Sequence, residues 1–579
     1  MLQGVLDNLH EHSWGYFLTH ETTVNWLQVI LLWILLAVIA NAVIRGLLAG
    51  FAKAAKALQR RDNPAAGDAD ALAWLMAPLL FLVALWLRLL IPPFAFMHEN
   101  AHGYMLFNDI GFLEPYRDVY GLAYFAIHAP LRLIFGAKFA SLLGWQAVLS
   151  ALIPAFGFLV AWRGLRWNFA QAAFGGIVVA LHPVLLRFGL SETMFTPAVL
   201  LWLVSLYYLL QWGQRDGWHR LLGSCAAALV AVQVRPEMYI MVAITLIITI
   251  LCDSKLRQRI KLSWHNASSH TSRRRLLWTL GLGLLFVSLP VHNFLWRLFN
   301  GEQGSAHLVG FDPLLLGRLA LNINLNPWEG GHVPFARAFS PLIVSIAAIV
   351  GMVTLLLRQR VKALVLVVPL AAMTVIWLPV QAAFMVSARL QQPLVVIWCL
   401  IAGYALGEAV EALKNRALPR LSMVAAVLFI LALGLGLQNR DTITTHSWSP
   451  QHEFAFLQDA LPQLPENAVI VIPQGDNVVN AGFPAAAAAL QDRGIETVSI
   501  HDFKPSKRPA YFYLGLACWS FKSMETLQKQ GPLRAECRDM LARSIDDPPQ
   551  GLYTRIPADP YDFLQLPAGM LHLGFVPVQ

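Results

Sequence analysis

Met97-His98-Glu99-Asn100-Ala101-His102-Gly103-Tyr104 follows directly on an apolar run that closes on Pro92-Pro93. Two folds are compatible with this stretch. Read as H-E-x-x-H, it sets His98 and His102 one turn apart on a helix face, where two imidazoles can ligate one zinc ion beside Glu99. Read as the start of a loop leaving a membrane helix, it is a carboxylate flanked by two imidazoles at the boundary of lipid and water. The sequence on either side decides between them.

That surrounding sequence is too apolar for a soluble protein. Of 579 residues, 57% are hydrophobic and 13% charged, against roughly 25% charged in soluble domains. Apolar runs long enough to span a bilayer fall near 24–46, 73–96, 141–162, 168–188, 193–212, 219–235, 237–252, 276–297, 339–357, 362–381, 392–410 and 421–438. The expected architecture is a polytopic α-helical membrane protein of about 12 transmembrane helices. Arg235-Pro236-Glu237 interrupts one long apolar run, so the 219–235 and 237–252 spans are the least securely separated. The short aromatic segment 119–136 reads as an interfacial helix. No internal repeat or low-complexity tract is present.

The net charge of +9 does not point to nucleic acid, because the cations sit in short loops between apolar runs, where they orient a membrane protein. Lys53, Lys56, Arg60 and Arg61 follow the first span. Lys255, Arg257, Arg259, Lys261 and Arg273 to Arg275 fill the 253–275 loop, and Arg358, Arg360, Lys362, Lys414, Arg416 and Arg420 flank later spans. Twelve spans put all of these on the cytoplasmic side. The N-terminus, whose first 23 residues hold no Lys or Arg and no signal-peptide core, falls outside, as do 97–140, 189–192, 298–338 and 439–579. The expected location is a bacterial cytoplasmic membrane, with both the N-terminus and the tail outside. Glu99 and its two histidines then sit at the outer mouth of the second span. Arg187, Arg235 and Arg389 also end apolar runs on that side, where a charge either serves a site or snorkels to lipid headgroups.

Three domains follow: 1–72 with the first span and a basic loop, 73–438 as the membrane body with outer loops 97–140 and 298–338, and 439–579 as an outer soluble unit. In the last, Ala468–Pro473, Thr497–Ile500 and Ala510–Leu514 read as strands, and Phe483–Arg493 and Leu533–Arg543 as helices. The alternation suggests a small α/β fold. Cys518 and Cys537 lie in it, either disulfide-bonded in an oxidising compartment or as free thiols. Cys225, Cys252 and Cys399 lie in or beside apolar segments and read as buried small residues.

The zinc reading lacks a ligand. Catalytic zinc needs a third protein ligand. No His follows His102 at metzincin spacing, and no later E-x-x-x-H, N-P-D-G or L-D-G sequence offers an acid; the one later E-x-x-x-D, Glu114 to Asp118, lies in the same loop beside Pro115 and not in a later apolar segment. A zinc membrane protease is therefore the weaker reading.

The alternative grows from residues further along. The first outer loop continues through Asp109, Glu114-Pro-Tyr-Arg117-Asp118-Val-Tyr120-Gly121 and Tyr124 to Phe135-Gly136. Leu190-Ser191-Glu192-Thr193-Met194-Phe195, Val234-Arg235-Pro236-Glu237 and Ala388-Arg389-Leu390-Gln391-Gln392-Pro393 come later. This order resembles the membrane glycosyltransferases of the GT-C superfamily, nearest the bacterial protein O-mannosyltransferase and aminoarabinose-transferase group. The resemblance covers about 97–410 and the general plan of the tail. It departs in three places: His98 precedes Glu99 where relatives often carry Asp, position 390 is Leu rather than Tyr, and the first span is an addition before the family core.

The resemblance implies an enzyme of the outer membrane face. It would move a sugar from a polyprenyl-phosphate donor to a protein, lipid or glycan acceptor, with inversion at the anomeric carbon. Glu99 is the candidate base, and Asp118 on the same loop is a second acid able to contact the acceptor or replace it. Arg235 and Arg389 are candidates for the donor phosphate, since guanidinium presents paired donors to phosphate oxygens. His98 and His102 are candidates for binding phosphate, orienting Glu99 or holding a divalent metal ion. Competing readings make Glu99 a simple loop carboxylate, Arg235-Pro236-Glu237 a kink with a local ion pair, and Ser191 a helix N-cap with Glu192 in the first turn. A transporter or flippase for lipid-linked saccharide would also need cations near lipid phosphate, but its usual matched halves are not visible.

Overall fold

The structure is a computed structural model. It describes residues 22–59, 64–91, 121–135, 139–191, 193–215, 217–235, 238–265, 340–377, 392–416 and 418–435 of the membrane region, and shorter pieces of the tail between 456 and 578. The helices are α1 (Thr22–Gln59), α2 (Pro64–Leu89), α3 (Ala123–Phe135), α4 (Phe139–Leu159), α5 (Phe169–Leu181), α6 (Pro183–Arg187), α7 (Phe195–Gln214), α8 (Trp218–Val234), α9 (Met238–Cys252), α10 (Ser254–His265), α11 (Leu342–Arg358), α12 (Arg360–Trp377), α13 (Gln392–Asn415) and α14 (Pro419–Leu435). Each expected span coincides with one of these except 168–188, which takes in two, and 276–297, which lies outside the described residues.

The chain is a multi-pass helical membrane protein. Among the described residues, four helical stretches are long and apolar enough to cross a bilayer alone: Gln28–Ala52, Ser141–Gly164, Phe195–Gln214 and Gln392–Asn415. The others are bent or shorter. The expected 168–188 span is in fact two helices bent by 54°. Asn168 and Gln171 start the first with a reciprocal capping box. Pro183 then removes a backbone donor, and the His182 ring accepts from the Val184 N–H to open α6. The basic loop expected at 253–275 begins instead with α10, which leaves α9 at 88°. Asp253 accepts from the amides of Lys255 and Leu256 to cap it.

At the centre, α13 lies against α5 at backbone distance. A Cβ at Gly403 would collide with the backbone of Gly175, and one at Gly407 with that of Gln171. Small residues permit such approach where lipid gives no hydrophobic push between helices. Trp398, Leu400 and Ile401 of α13 are buried around this seam. The first span is part of the bundle. Trp33 of α1 donates to the Ala126 carbonyl of α3 at 2.9 Å, and Trp26 meets Phe125 edge to face.

The tail holds a mixed five-stranded sheet in the order β2-β1-β3-β5-β4. The strands are β1 (Val469–Ile472), β2 (Glu496–Ser499), β3 (Ala510–Leu514), β4 (Tyr553–Arg555) and β5 (His572–Val578). β1 runs parallel to β2 and β3, whereas β5 is antiparallel to both β3 and β4. The three expected strands and the helix near 533–543 (α15, Ala535–Leu541) are found. The helix expected over Phe483–Arg493 lies outside the described residues. Cys518 and Cys537 are buried and form a disulfide, and Cys225, Cys252 and Cys399 are free thiols.

Candidate active site

A ring of buried polar side chains closes one end of the bundle. It is built from the lead-in to α3, the facing turns of α4, the α6–α7 junction, the end of α8 and the start of α13. Except for Gln146, inside α4, each contributor sits near where a helix starts or stops. There the backbone has unsatisfied groups, and polar side chains can reach them.

Arg235 anchors the ring. It is the C-cap of α8, in extended conformation, because Pro236 follows and disfavours helix for the residue before it. Its side chain is only 5% exposed. The guanidinium stands 4.4 Å over the ring of Phe195, the first residue of α7. The start of α7 is set by hydroxyls: Ser191 accepts from the Thr193 N–H and Thr193 from the Phe195 N–H, both at 3.3 Å. Ser191 therefore does not cap the helix as one sequence reading had it. The helix begins four residues later, with Pro197 in its first turn, where a missing N–H is tolerated. Glu192 lies outside the described residues.

Gln146 of α4 ties α3 to this turn. Its amide donates to the Tyr124 hydroxyl at 2.8 Å and to the Thr193 carbonyl at 3.2 Å. Thr196 donates to the Phe188 carbonyl and to Gln392 of α13, each at 3.4 Å. The interfacial helix expected at 119–136 is α3, and its first half is sunk into the bundle. Tyr124 and His128 are fully buried and stack at 4.2 Å, while Leu133, Ile134 and Phe135 are exposed.

The residue leading into α3, Gly121, packs against Gln233 near Arg235. Gly121, three residues after Asp118, lies so close to Gln233 that a Cβ would collide with that residue's carbonyl and side chain. Only glycine fits there. Gly121 is therefore fixed two residues from Arg235. Of the site residues expected from sequence, Arg235 is placed here. His98, Glu99, His102, Asp118 and Arg389 lie outside the described residues. Gln392, three residues beyond Arg389, is buried in the ring. Among the described residues, no three His, Cys, Asp or Glu side chains group so as to hold a metal ion.

With this geometry in place, comparison with known proteins adds the following. No family model matches the chain, and no curated protein does. Among solved structures, it is similar to ArnT from Cupriavidus metallidurans in the apo state, at 13% identity and TM-score 0.48, over 86% of this chain and 97% of that one. The same protein bound to undecaprenyl phosphate is similar at 14% identity and TM-score 0.45, over 80% of this chain and 94% of that one.

Sequence reading missed Arg88, in the last turn of α2. It is fully buried and has no ion-pair partner among the described residues. Its Nε donates to Ser150 Oγ at 2.6 Å and its Nη1 to the Ala84 carbonyl at 2.9 Å. Gly189 covers the pair: a Cβ there would lie 2.8 Å from Arg88 Nε and 2.9 Å from Ser150 Oγ. Ser150 is one turn along α4 from Gln146, on the same face, so Arg88 extends the ring. The signal was a lone charge inside an apolar run. Arg187, at the end of α6, stands 5.5 Å from the ring of Phe188.

Proposed function

We propose that this chain is an integral membrane glycosyltransferase working at the bundle end that carries Arg235, on the outer face of the cytoplasmic membrane. It moves a sugar from a polyprenyl-phosphate donor to an acceptor hydroxyl on a protein, lipid or glycan. In the transfer, the acceptor oxygen bonds to the anomeric carbon as the bond from that carbon to the phosphate oxygen breaks. The acceptor proton passes to Glu99, and polyprenyl phosphate leaves. Asp118 faces the acceptor or stands in as base. Arg235, with Arg389, stabilises the charge growing on the leaving phosphate. His98 and His102 assist at the phosphate or orient Glu99.

The observation that carries this reading is the packing of Gly121 on Gln233, beside the buried Arg235. It sets Gly121, which follows the acidic 97–120 segment in the chain, beside a cation suited to phosphate. The disulfide in the tail supports placing that domain on the oxidising side, and with it the Arg235 end. The experiment is sugar transfer from a polyprenyl-phosphate donor by purified protein in vesicles, comparing wild type with Arg235→Gln. Loss of transfer in a folded variant supports the reading, and undiminished transfer removes Arg235 from it.

A further inference from the structure

The opposite end of the bundle, read from the sequence as cytoplasmic, gathers arginines from four elements. α7 ends at Gln214 and Arg215 follows. Gly217, with φ of 152°, turns the chain into α8, whose first turn carries His219 and Arg220. These pack on the turn itself: Arg220 Nη1 donates to the Arg215 carbonyl at 3.1 Å, and a Cβ on Gly217 would lie 2.8 Å from the His219 ring. α1 runs alongside α8 at close range. Its Ala42 side chain would meet a Cβ at Gly223 at 3.0 Å, and Tyr208 Oη reaches the α1 backbone at Gly46. This sets Arg45 of α1 next to the α8 turn, where its charge acts on His219. From the other side, α10 is pinned by Leu256, fully buried with Leu209, Trp212 and Leu221. Arg259 on α10 and Arg215 both act electrostatically on Arg220.

Like charges crowded in this way repel one another. The surface where α1 packs on the start of α8 has a basic rim and an apolar flank. Next to Arg45, α1 turns Ile44, Leu47, Leu48 and Phe51 outward, all exposed. A basic rim over a lipid-facing apolar strip matches a molecule with an anionic head and hydrocarbon tails.

We infer that the surface where α1 meets the start of α8 binds the headgroup of an anionic phospholipid, held by Arg45, His219 and Arg220, with Arg215 and Arg259 adding to the positive field. The lipid would fasten the additional first span to the bundle at its cytoplasmic end. A free phosphate would satisfy the rim but leave the apolar strip unused.

The test uses the full chain in detergent. The thermal unfolding midpoint is followed while phosphatidylglycerol, phosphatidylcholine or inorganic phosphate is added. Phosphatidylglycerol raises the midpoint of the wild type, and the other two do not. In the pair Arg45→Gln with Arg220→Gln, the concentration needed rises at least about ten-fold, whereas Arg45→Lys with Arg220→Lys stays near wild type. An unchanged response in the glutamine pair overturns the proposal, as does an equal shift with inorganic phosphate. If the glutamine pair does not fold, native mass spectrometry of the wild type from vesicles of mixed phosphatidylglycerol and phosphatidylcholine decides. Preferential retention of phosphatidylglycerol supports the site, and equal retention overturns it.

Discussion

The guanidinium of Arg235 stands 4.4 Å over the ring of Phe195, so the end of α8 and the start of α7 hold one cation between them. An aromatic face under a desolvated guanidinium contributes about 2 kcal/mol. Phe195→Leu keeps the apolar volume and removes the ring quadrupole. Transfer by Phe195→Leu should fall about ten-fold, with Phe195→Tyr close to wild type. Rates measured in vesicles check this, and equal rates for Leu and Tyr would mean that the ring does nothing for Arg235.

Arg88 is a separate matter of stability. Its hydrogen bond to Ser150 joins a charged donor to a hydroxyl, the kind of bond that contributes about 1.5–3 kcal/mol. Ser150→Ala should lower the unfolding midpoint in detergent. Gly189→Ala should lower it too, because the new methyl presses on both partners. A midpoint unchanged in both would remove Arg88 from the structural core.

The α5–α13 seam sets two effects against each other. In a helix interior, alanine is favoured over glycine by about 1 kcal/mol. At Gly403 the added methyl meets the backbone of Gly175, and overpacking costs about 1–3 kcal/mol. Collision should win: Gly403→Ala is expected to be less stable than wild type. Gly434 has nothing within 4 Å of a Cβ, so Gly434→Ala should be neutral or stabilising. Thermal unfolding of the two variants side by side checks the sign.

The tail disulfide closes a loop with a sequence separation of 19 residues, for which chain entropy gives about 3 kcal/mol. Cys518→Ser, Cys537→Ser and the double variant should lose similar amounts of domain stability, because each removes the same crosslink. Maleimide added to the protein unfolded in denaturant, without reductant, should label the thiol left in either single variant but neither cysteine of the wild type. Labelling of the wild type at these positions would mean that the tail does not reach an oxidising compartment.

Helix positions were legible because apolar length is a local property. The separation of α8 from α9 was also written in the chain, at Arg235-Pro236. Pro183 gave an equal signal for the break between α5 and α6, but the apolar run continues through it and hides the bend. α10 was read as loop because its cations outweigh the single buried Leu256 that docks it. β5 was missed because Gly574 and Pro577 interrupt any strand pattern. In the site, Arg235 could be read as a charge at a span's end. Gln146, Thr193, Thr196 and Gln392 could not, since they are joined only when the middle of α4 meets the starts of α7 and α13. Arg88 was visible as a charge in an apolar run, but its partner Ser150 was not.

The central claim is that Glu99 takes the acceptor's proton in sugar transfer from a lipid-linked donor. It is tested most directly by comparing initial transfer rates of wild type and Glu99→Gln in vesicles loaded with polyprenyl-phosphate sugar, with both proteins first matched for unfolding midpoint. General base catalysis contributes about 10²–10⁴-fold. A fall of that size in Glu99→Gln, at unchanged stability, is the expected result. A rate equal to wild type would contradict the account.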